Sequence, residues 1–279
     1  MTHTASAPGK IILTGEYAVV FGYPGVAIPS SLRMTATFTE DPSKKNVEIT
    51  WSETVDPLWN DYVQKIIDTC SKKMEATGGT LTLKSEIPLG SGMGSSTACV
   101  IAVCRALLGP DCESIAHDIE NELSPGNSGI DFAVIWNESA VVFSKDEGAE
   151  EVELPPHILD GAFLIDTGTP TETTTELIGL LEQNKEGNDT IEDALKTIGH
   201  SAERLLNNEK LQTIFRYHHR AQIALGVVPP TVQELIAKIE AQGGAAKVIG
   251  AGGKIGGGGM VLALGIDPKT ITDFPVVSL

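Results

Sequence analysis

A glycine-rich segment, Pro88–Thr97, has the composition of a phosphate-binding loop. It reads PLGSGMGSST and lies between a predicted strand and a predicted helix. Glycines let a backbone approach a ligand closely, and the free amides and dipole at a helix start attract anions. The P-loop pattern is excluded because Ser95 stands where a lysine is required, and the glycine spacing differs from that of dinucleotide-binding loops. On this segment alone, a turn capped by serine is an equally good interpretation.

Three further segments contain residues that could do chemistry. Lys10 lies among apolar strand residues, although a solvated surface lysine is the simpler interpretation. Glu120 and Asp131 flank a loop of turn-forming residues, and either acid alone could be a solvated charge or a helix cap. The segment Gly250–Gly259 has seven glycines in ten residues. It is either a flexible hairpin tip or a second backbone surface that closes on a ligand.

Length and charge limit the classes of partner. The chain has 279 residues, enough for two lobes, and a formal charge of −17 from 37 acidic and 20 basic side chains. A field of that sign repels a nucleic-acid backbone and an anionic lipid surface, so we expect neither partner. The longest apolar stretch, Ala98–Leu108, is interrupted by Arg105 and is shorter than the roughly 18 residues of a membrane span. The first ten residues lack the pattern of a secretory signal, and we therefore predict a cytoplasmic protein.

Other candidate residues favour structural roles. The four cysteines form no C-x-x-C pair and are predicted to be free, buried thiols. His117 and Glu120 share a helix face, but the sequence offers no further zinc ligands nearby. His218 and His219 are interpreted as surface or interlobe residues rather than catalysts, and the three tryptophans as packing residues, any of which could contact adenine.

Hydrophobic periodicity predicts an α+β fold, with strands packed on helices. The predicted strands are 11–14, 34–39, 47–51, 80–85, 161–166, 245–249 and 260–264, and the predicted helices are 58–75, 96–108, 113–123, 174–183, 190–206, 211–225 and 232–242. Residues 132–136 and 140–144 are predicted to form a hairpin, which places Asp131 at the start of a strand. The acidic stretch 146–153, followed by Pro155 and Pro156, disfavours helix and central strand. We expect a hinge there, between an N-terminal lobe, 1–155, and a C-terminal lobe, 156–279.

Taken together, the four segments resemble the GHMP kinase superfamily, which includes galactokinases, homoserine kinases, mevalonate kinases and phosphomevalonate kinases. Three motifs occur in the order of that family: Pro8-Gly9-Lys10 with Gly15-Glu16, Gly90–Ser96, and Gly250-Ala251-Gly252-Gly253. Within the superfamily, residues 15–24 and Ser128-Gly129-Ile130-Asp131 are most similar to the mevalonate kinase family.

The resemblance implies a two-lobed fold with the active site in the cleft, and transfer of the γ-phosphate of ATP to the 5-hydroxyl of mevalonate with Mg²⁺. By the same resemblance, the catalytic residues are Asp131 and Lys10. The implied ATP-binding residues are Lys10, Gly90, Ser91, Gly92, Met93, Gly94, Ser95 and Ser96. The implied substrate-binding residues are Glu16, Tyr17, Asp131, Thr173 and Gly252, and the implied metal ligands are Ser96 and Glu120.

Several residues depart from the mevalonate kinase pattern, mainly on the acceptor side. Tyr17 stands where a histidine usually follows the glutamate, and Thr171 stands where an arginine or lysine is common. Asn127, His218-His219 and Lys254 also differ. Phosphomevalonate kinase activity therefore stays an alternative, although a dianionic acceptor calls for more basic residues than the motifs supply. A non-catalytic metabolite sensor and a homodimeric assembly are also left open.

Overall fold

The computed structural model describes residues 1–74, 78–271 and 274–279. In the first half of the chain, six strands form one sheet: β1 (Thr2–Thr14), β2 (Gly25–Glu40), β3 (Val47–Trp51), β4 (Gly79–Ser85), β5 (Val141–Ser144) and β6 (Gly148–Glu151). The strand order is β3-β4-β2-β5-β6, with β1 also paired to β2. All of these pairs are antiparallel except β3 with β4.

The pairing of β1 with β2 is irregular where the first motif begins. The register shifts between Pro8 and Lys10. Proline has no N–H to give to the ladder, and such a bulge changes the direction of the side chain that follows it. The Lys10 amide instead donates to the Met93 carbonyl at 2.9 Å. This irregularity attaches β1 directly to the glycine-rich loop.

Four helices of the first half complete this layer: α1 (Leu58–Ser71), α2 (Ser95–Leu108), α3 (Glu113–Leu123) and α4 (Ile130–Asn137). Helix α2 packs against β1 and β2 on one side and against α1, α3 and α4 elsewhere. Its residues 97–104 are all buried. A helix that is apolar on every side is stable only when it is enclosed, and α2 lies at the centre of the main core.

The second half forms a four-stranded antiparallel sheet covered by helices. Its strands are β7 (Phe163–Asp166), β8 (Ala245–Val248), β9 (Met260–Leu264) and β10 (Val276–Ser278), in the order β10-β7-β9-β8. Its helices are α5 (Thr174–Lys185), α6 (Asp189–Leu206), α7 (Leu211–Ala224) and α8 (Pro230–Ala241). Ile249, Met260 and Leu262 from this half belong to the same apolar cluster as Ile11 and Leu13. The two halves therefore share part of one core.

The predicted hairpin at 132–136 and 140–144 is wrong in its first arm. Residues 130–137 form α4, and Asp131 lies in the first turn of that helix rather than at a strand start. A short apolar run such as Ile130–Trp136 has no periodicity that separates a buried helix from a buried strand. The acidic stretch also contains a strand, β6, which pairs with β5 alone at the sheet edge. Exposed charges are compatible with an edge strand because they discourage further pairing.

The other predicted elements are present, with ends that differ by a few residues in most cases. Strands β1 and β2 are both much longer than predicted, since each begins nine residues earlier, and β10 was not predicted. The predicted helix 58–75 ends at Ser71, and its last residue, Glu75, lies outside the described residues. The four cysteines are free and buried. Within the described ranges, every helix is too short or too polar to cross a lipid bilayer.

Candidate active site

The glycine-rich loop and the 250–259 segment face a common cavity of about 430 Å³. Residues from both halves of the chain line it, including Lys10, Asp131 and Thr173. A cavity of this size suits a small molecule. Of the residues predicted to form the site, those that line the cavity are Lys10, Glu16, Tyr17, Gly90, Gly92, Gly94, Ser95, Ser96, Glu120, Asp131 and Thr173.

Backbone conformation holds the glycine-rich loop in place at the start of α2. Gly90, Gly92 and Gly94 all have positive φ, between 72° and 84°, a region that residues with a Cβ rarely adopt. A Cβ on Gly94 would also lie 2.9 Å from the Lys10 side chain. The Ser95 hydroxyl accepts a hydrogen bond from the Gly90 amide at 3.1 Å. The loop is thus closed on itself, with the amides at the start of α2 beside the cavity.

Lys10 and Asp131 form an ion pair inside this cavity. The Lys10 Nζ lies 3.2 Å from the Asp131 Oδ1. The lysine side chain is 4% exposed and the aspartate side chain 35% exposed. The ammonium is thus fixed by the protein, while the carboxylate still faces the cavity. A positioned carboxylate beside a fixed cation can accept a proton from a bound hydroxyl group.

Glu120 is buried against α2 with half of its carboxylate unused. Its Oε1 accepts a hydrogen bond from the Thr97 hydroxyl at 2.8 Å. Among the described residues, none gives its Oε2 a hydrogen-bond partner. Burial raises the pKa of Glu120 to about 7, the Thr97 bond opposes this, and the Asp131 charge adds to it. A buried carboxylate oxygen without a partner, together with the hydroxyl of Ser96, which lines the same cavity, is a donor set suited to a hard cation.

A second charged group, which we call the Glu16 cluster, consists of Glu16, His218 and Lys247. The Lys247 Nζ donates to the Glu16 Oε1, and the His218 Nε2 lies 2.9 Å from the Glu16 Oε2. Burial alone would raise the pKa of Glu16, but Lys247 and His218 together lower it to about 2. Burial lowers the pKa of His218, so the ring is neutral near pH 7. Glu16 also lines the cavity: its Oε1 accepts from Lys247, whereas its Oε2 lies close to His218 and has no hydrogen-bond partner among the described residues.

Lys247 is the main functional candidate that sequence reasoning missed. It lies in β8, where all four residues are buried. A charged residue inside a fully buried strand requires a charged partner, and the pattern Ala245-Ala246-Lys247-Val248 was the available signal. His218 and His219 are buried, so the prediction of a surface position is wrong for both. His218 lies against Glu16 of the first half of the chain, which agrees with the interlobe alternative.

Tyr17 and Thr173 line the cavity near Ala251. The Tyr17 hydroxyl donates to the Ala251 carbonyl, and burial raises the pKa of Tyr17, so the hydroxyl stays protonated. Thr173 caps α5 through a reciprocal pair of hydrogen bonds with Glu176. The amides at the start of α5 therefore lie beside the cavity, together with Thr174 and Thr175.

Three predicted site residues lie outside the cavity lining. The Ser91 hydroxyl donates to the Pro88 carbonyl at 2.7 Å, and Met93 is fully buried. Both residues shape the loop rather than face the cavity. Gly252 has a φ of 67°, and a Cβ there would collide with the Val227 carbonyl. Its role is to allow that close approach of the two backbones.

A second cavity of about 550 Å³ adjoins the glycine-rich loop. It shares Gly90 with the first cavity and is lined by Val55, Leu58 and Trp59 on one side and by Ile87 and Leu89 on the other. Trp51 and Trp136 are partly buried against the main core. Of the three tryptophans, Trp59 alone is in the lining of these two cavities.

Comparison with known families and proteins gives consistent matches. Residues 61–138 match the GHMP kinase N-terminal domain. The chain is 30% identical over 277 residues to the mevalonate kinase of Archaeoglobus fulgidus, an alignment that covers 95% of this chain and 94% of that protein.

Solved structures agree in fold. The Methanococcus jannaschii mevalonate kinase superposes with a TM-score of 0.81 at 18% identity, covering 98% of this chain and 96% of that one. The L. major mevalonate kinase, solved in complex with R-mevalonate, superposes with a TM-score of 0.79 at 16% identity, covering 95% and 88%.

Proposed function

This chain belongs to the mevalonate kinase family of the GHMP kinases, and from that premise we propose that it transfers the γ-phosphate of ATP to the 5-hydroxyl of mevalonate. The observation that carries the proposal is the Lys10–Asp131 pair, which faces the cavity beside the glycine-rich loop. Phosphoryl transfer needs positioning and charge neutralisation more than covalent help from the protein. Lys10, Asp131 and the glycine-rich loop, which line one cavity, are suited to both of these requirements.

Asp131 acts on the acceptor hydroxyl and Lys10 acts on both reactants. The exposed face of the carboxylate accepts a hydrogen bond from the hydroxyl group, orients its oxygen and takes its proton as the new O–P bond forms. The ammonium holds the Asp131 carboxylate in place through their ion pair and also neutralises charge that develops on the transferred phosphoryl group. Lys10 is kept in place by its burial and by its backbone bond to Met93.

ATP extends from the glycine-rich loop into the neighbouring cavity. The phosphates lie against the amides of Gly90–Ser96, where the start of α2 attracts negative charge. The adenine occupies the second cavity, where Trp59 and Leu58 offer an aromatic and an apolar surface. Gly90 lies at the junction of the two cavities, which is where the ribose and phosphates must meet.

Glu120 and Ser96 are suited to hold Mg²⁺. The Glu120 Oε2 supports this assignment, because it is a buried oxygen that has no hydrogen-bond partner among the described residues. A bound cation would supply that missing partner. Mg²⁺ prefers oxygen ligands, and when bound it neutralises phosphate charge and lowers the cost of transfer. Thr97 fixes the orientation of the Glu120 carboxylate through its hydrogen bond.

The cavity favours mevalonate over a phosphorylated acceptor. Among the described residues that line it, Lys10 is the one basic side chain, and it is already paired with Asp131. A phosphate monoester would require further lysine or arginine side chains. The mevalonate carboxylate carries a single charge, which the α5 amides and the hydroxyls of Thr173–Thr175 can receive. We also infer that the chain divides into lobes 1–155 and 156–279, with the acceptor bound between them.

An ATP-consumption assay tests the function directly. The acceptors are mevalonate, phosphomevalonate, homoserine, galactose and glycerate, and the product is analysed by mass and by phosphorus NMR. We expect turnover with mevalonate and phosphate on its 5-oxygen. Preferred turnover of phosphomevalonate would assign the chain to the other activity, and turnover of no acceptor would indicate a non-catalytic protein.

A further inference from the structure

Two consecutive residues of the first half of the chain are bound to the second half at positions that lead into the cavity. Glu16 binds Lys247 in β8, and the Tyr17 hydroxyl binds the Ala251 carbonyl four residues further on. Both Tyr17 and Ala251 line the cavity, whereas Lys247 does not. The chain just after β1 is therefore joined to β8 and to the segment that follows β8 at two points: Glu16 in the cavity lining binds the buried Lys247, and Tyr17 binds Ala251 in the cavity wall.

The contact between Glu16 and Lys247 is almost fully buried. Glu16 is 3% exposed, and His218 and Lys247 are not exposed at all. The Lys247 ammonium also donates to the Val248 carbonyl at 3.1 Å, and His218 lies against the other Glu16 oxygen. Because both side chains are almost fully buried, each charge depends on the other for compensation. Lys247 therefore fixes where the Glu16 backbone can lie.

Tyr17 depends on that fixed neighbour. Its φ is 65°, in the left-handed region that residues with a side chain rarely adopt. Such a conformation persists only where the surroundings hold it on both sides. Glu16 is held by Lys247 on one side, and the Tyr17 hydroxyl is held by Ala251 on the other. Loss of the Lys247 charge releases the first of these two restraints.

We propose that Lys247 is a positioning residue for the acceptor: it anchors Glu16, and through Glu16 it holds Tyr17 and Ala251 in the wall where the acceptor binds. The proposal rests on the proposed function, since it takes an alcohol as the second substrate of this cavity. Lys247 touches neither substrate. Glu16 and Tyr17 make their bonds to Lys247 and Ala251 rather than to the amides of Gly90–Ser96, where the ATP phosphates lie, so the effect of Lys247 falls mainly on the acceptor.

Steady-state kinetics on the full-length protein test the proposal, with each substrate varied at saturating concentration of the other. The varied acceptor is the one that the wild type phosphorylates in the panel assay, so failure of the mevalonate assignment is recognised before any variant is measured. For Lys247→Met we expect the KM for the acceptor to rise at least about tenfold and the KM for ATP to change by less than about twofold. Lys247→Arg, which keeps the charge, restores most of the acceptor KM. Lys238→Met, at an exposed position on α8, is the matched control and behaves as the wild type.

Two further variants cover the case in which Lys247→Met does not fold. Glu16→Gln with Lys247→Met removes both buried charges, and Tyr17→Phe removes only the bond to Ala251. Each is expected to raise the KM for the acceptor selectively. An equal rise in both KM values, or an unchanged acceptor KM in Tyr17→Phe and in every folded variant that lacks the Lys247 charge, would overturn the proposal.

Discussion

Two lysine–carboxylate pairs lie beside the same cavity and differ in what surrounds the carboxylate. In the Lys10–Asp131 pair the lysine is buried, but the aspartate side chain is 35% exposed and faces the cavity. In the Glu16 cluster the carboxylate and both of its partners are sealed. The first carboxylate can add a substrate hydroxyl to its existing contacts, whereas the second is only 3% exposed and is bound to Lys247.

The difference in exposure suits the Lys10–Asp131 pair to catalysis and the Glu16 cluster to positioning. An ion pair open to a cavity keeps a reactive group in a fixed place and leaves one of its lone pairs available. A sealed pair cannot react, and the penalty for removing its charges from water is offset only while its geometry is maintained. We therefore expect changes at the open pair to affect turnover and changes at the sealed pair to affect stability and the shape of the site.

The largest expected effect is on stability, at the sealed pair. Lys247→Met leaves the Glu16 carboxylate buried without its main partner, and we expect the free energy of unfolding to fall by about 3–5 kcal/mol. Glu16→Gln with Lys247→Met, which removes both charges, should recover at least half of that loss. Lys10→Met should cost less, because Asp131 can rehydrate. Urea unfolding measures all three, and equal losses in the two single variants would contradict the comparison.

Acid provides a second test of the sealed pair. The pKa of Glu16 is lowered from 4.5 to about 2, so its charged form stabilises the fold above about pH 4.5. That contribution, about 3 kcal/mol from the difference in pKa, is lost as the pH falls towards 2. The stability difference between the wild type and the Glu16→Gln, Lys247→Met double variant should shift by this amount over that range. A difference that is constant with pH would mean that Glu16 is not ionised in the folded protein.

At the open pair, the expected effect is on rate. Asp131→Asn is nearly isosteric but cannot take a proton, and we expect kcat with mevalonate to fall by at least ~10²-fold. The KM for ATP and the unfolding free energy should change little. Asp118→Asn, at an exposed position on α3, is the control. Near wild-type turnover in Asp131→Asn would exclude the proton-acceptor role.

The smallest expected effect concerns the cation. Glu120→Gln replaces one carboxylate ligand with a neutral amide, and we expect the Mg²⁺ concentration for half-maximal activity to rise about tenfold. The fold should stay intact because the glutamine keeps the volume and can still accept from Thr97. Glu122→Gln, on the exposed side of α3, is the control. An unchanged Mg²⁺ titration in Glu120→Gln would reject Glu120 as a ligand.

The sequence predicted the open pair and not the sealed one, for a physical reason. Lys10 and Asp131 belong to motifs with a recognisable order, although each residue alone is indistinguishable from a solvated charge. Glu16 also lies in a motif, but its partners His218 and Lys247 come from a helix and a strand brought to it only by tertiary packing. No local sequence pattern predicts that pairing. The sequence therefore indicates the residues that face a ligand more readily than the residues that position those side chains.

The secondary structure shows the same contrast between what a local pattern predicts and what tertiary packing decides. Helices with a clear apolar stripe, such as α3 and α6, begin and end within a residue of the prediction. The run Ile130–Trp136 has no stripe, and its helical state depends on Gly129, whose φ of 92° starts the helix, and on packing against α2 and β1. Where burial is uniform, the surrounding structure decides between helix and strand.

The enclosure of α2 has a consequence for the native-state dynamics of the site. Amide protons in residues 98–104 exchange only when the main core opens, so they should be among the slowest in the protein. The body of this helix, directly behind its phosphate-binding end, then shares the opening free energy of the main core and does not loosen in local fluctuations. Nucleotide entry and release must instead depend on movement of the segments that face it, in particular residues 250–259. Hydrogen exchange measured with and without ATP should therefore change most in the glycine-rich loop and in that second loop, and least in residues 98–104 of α2.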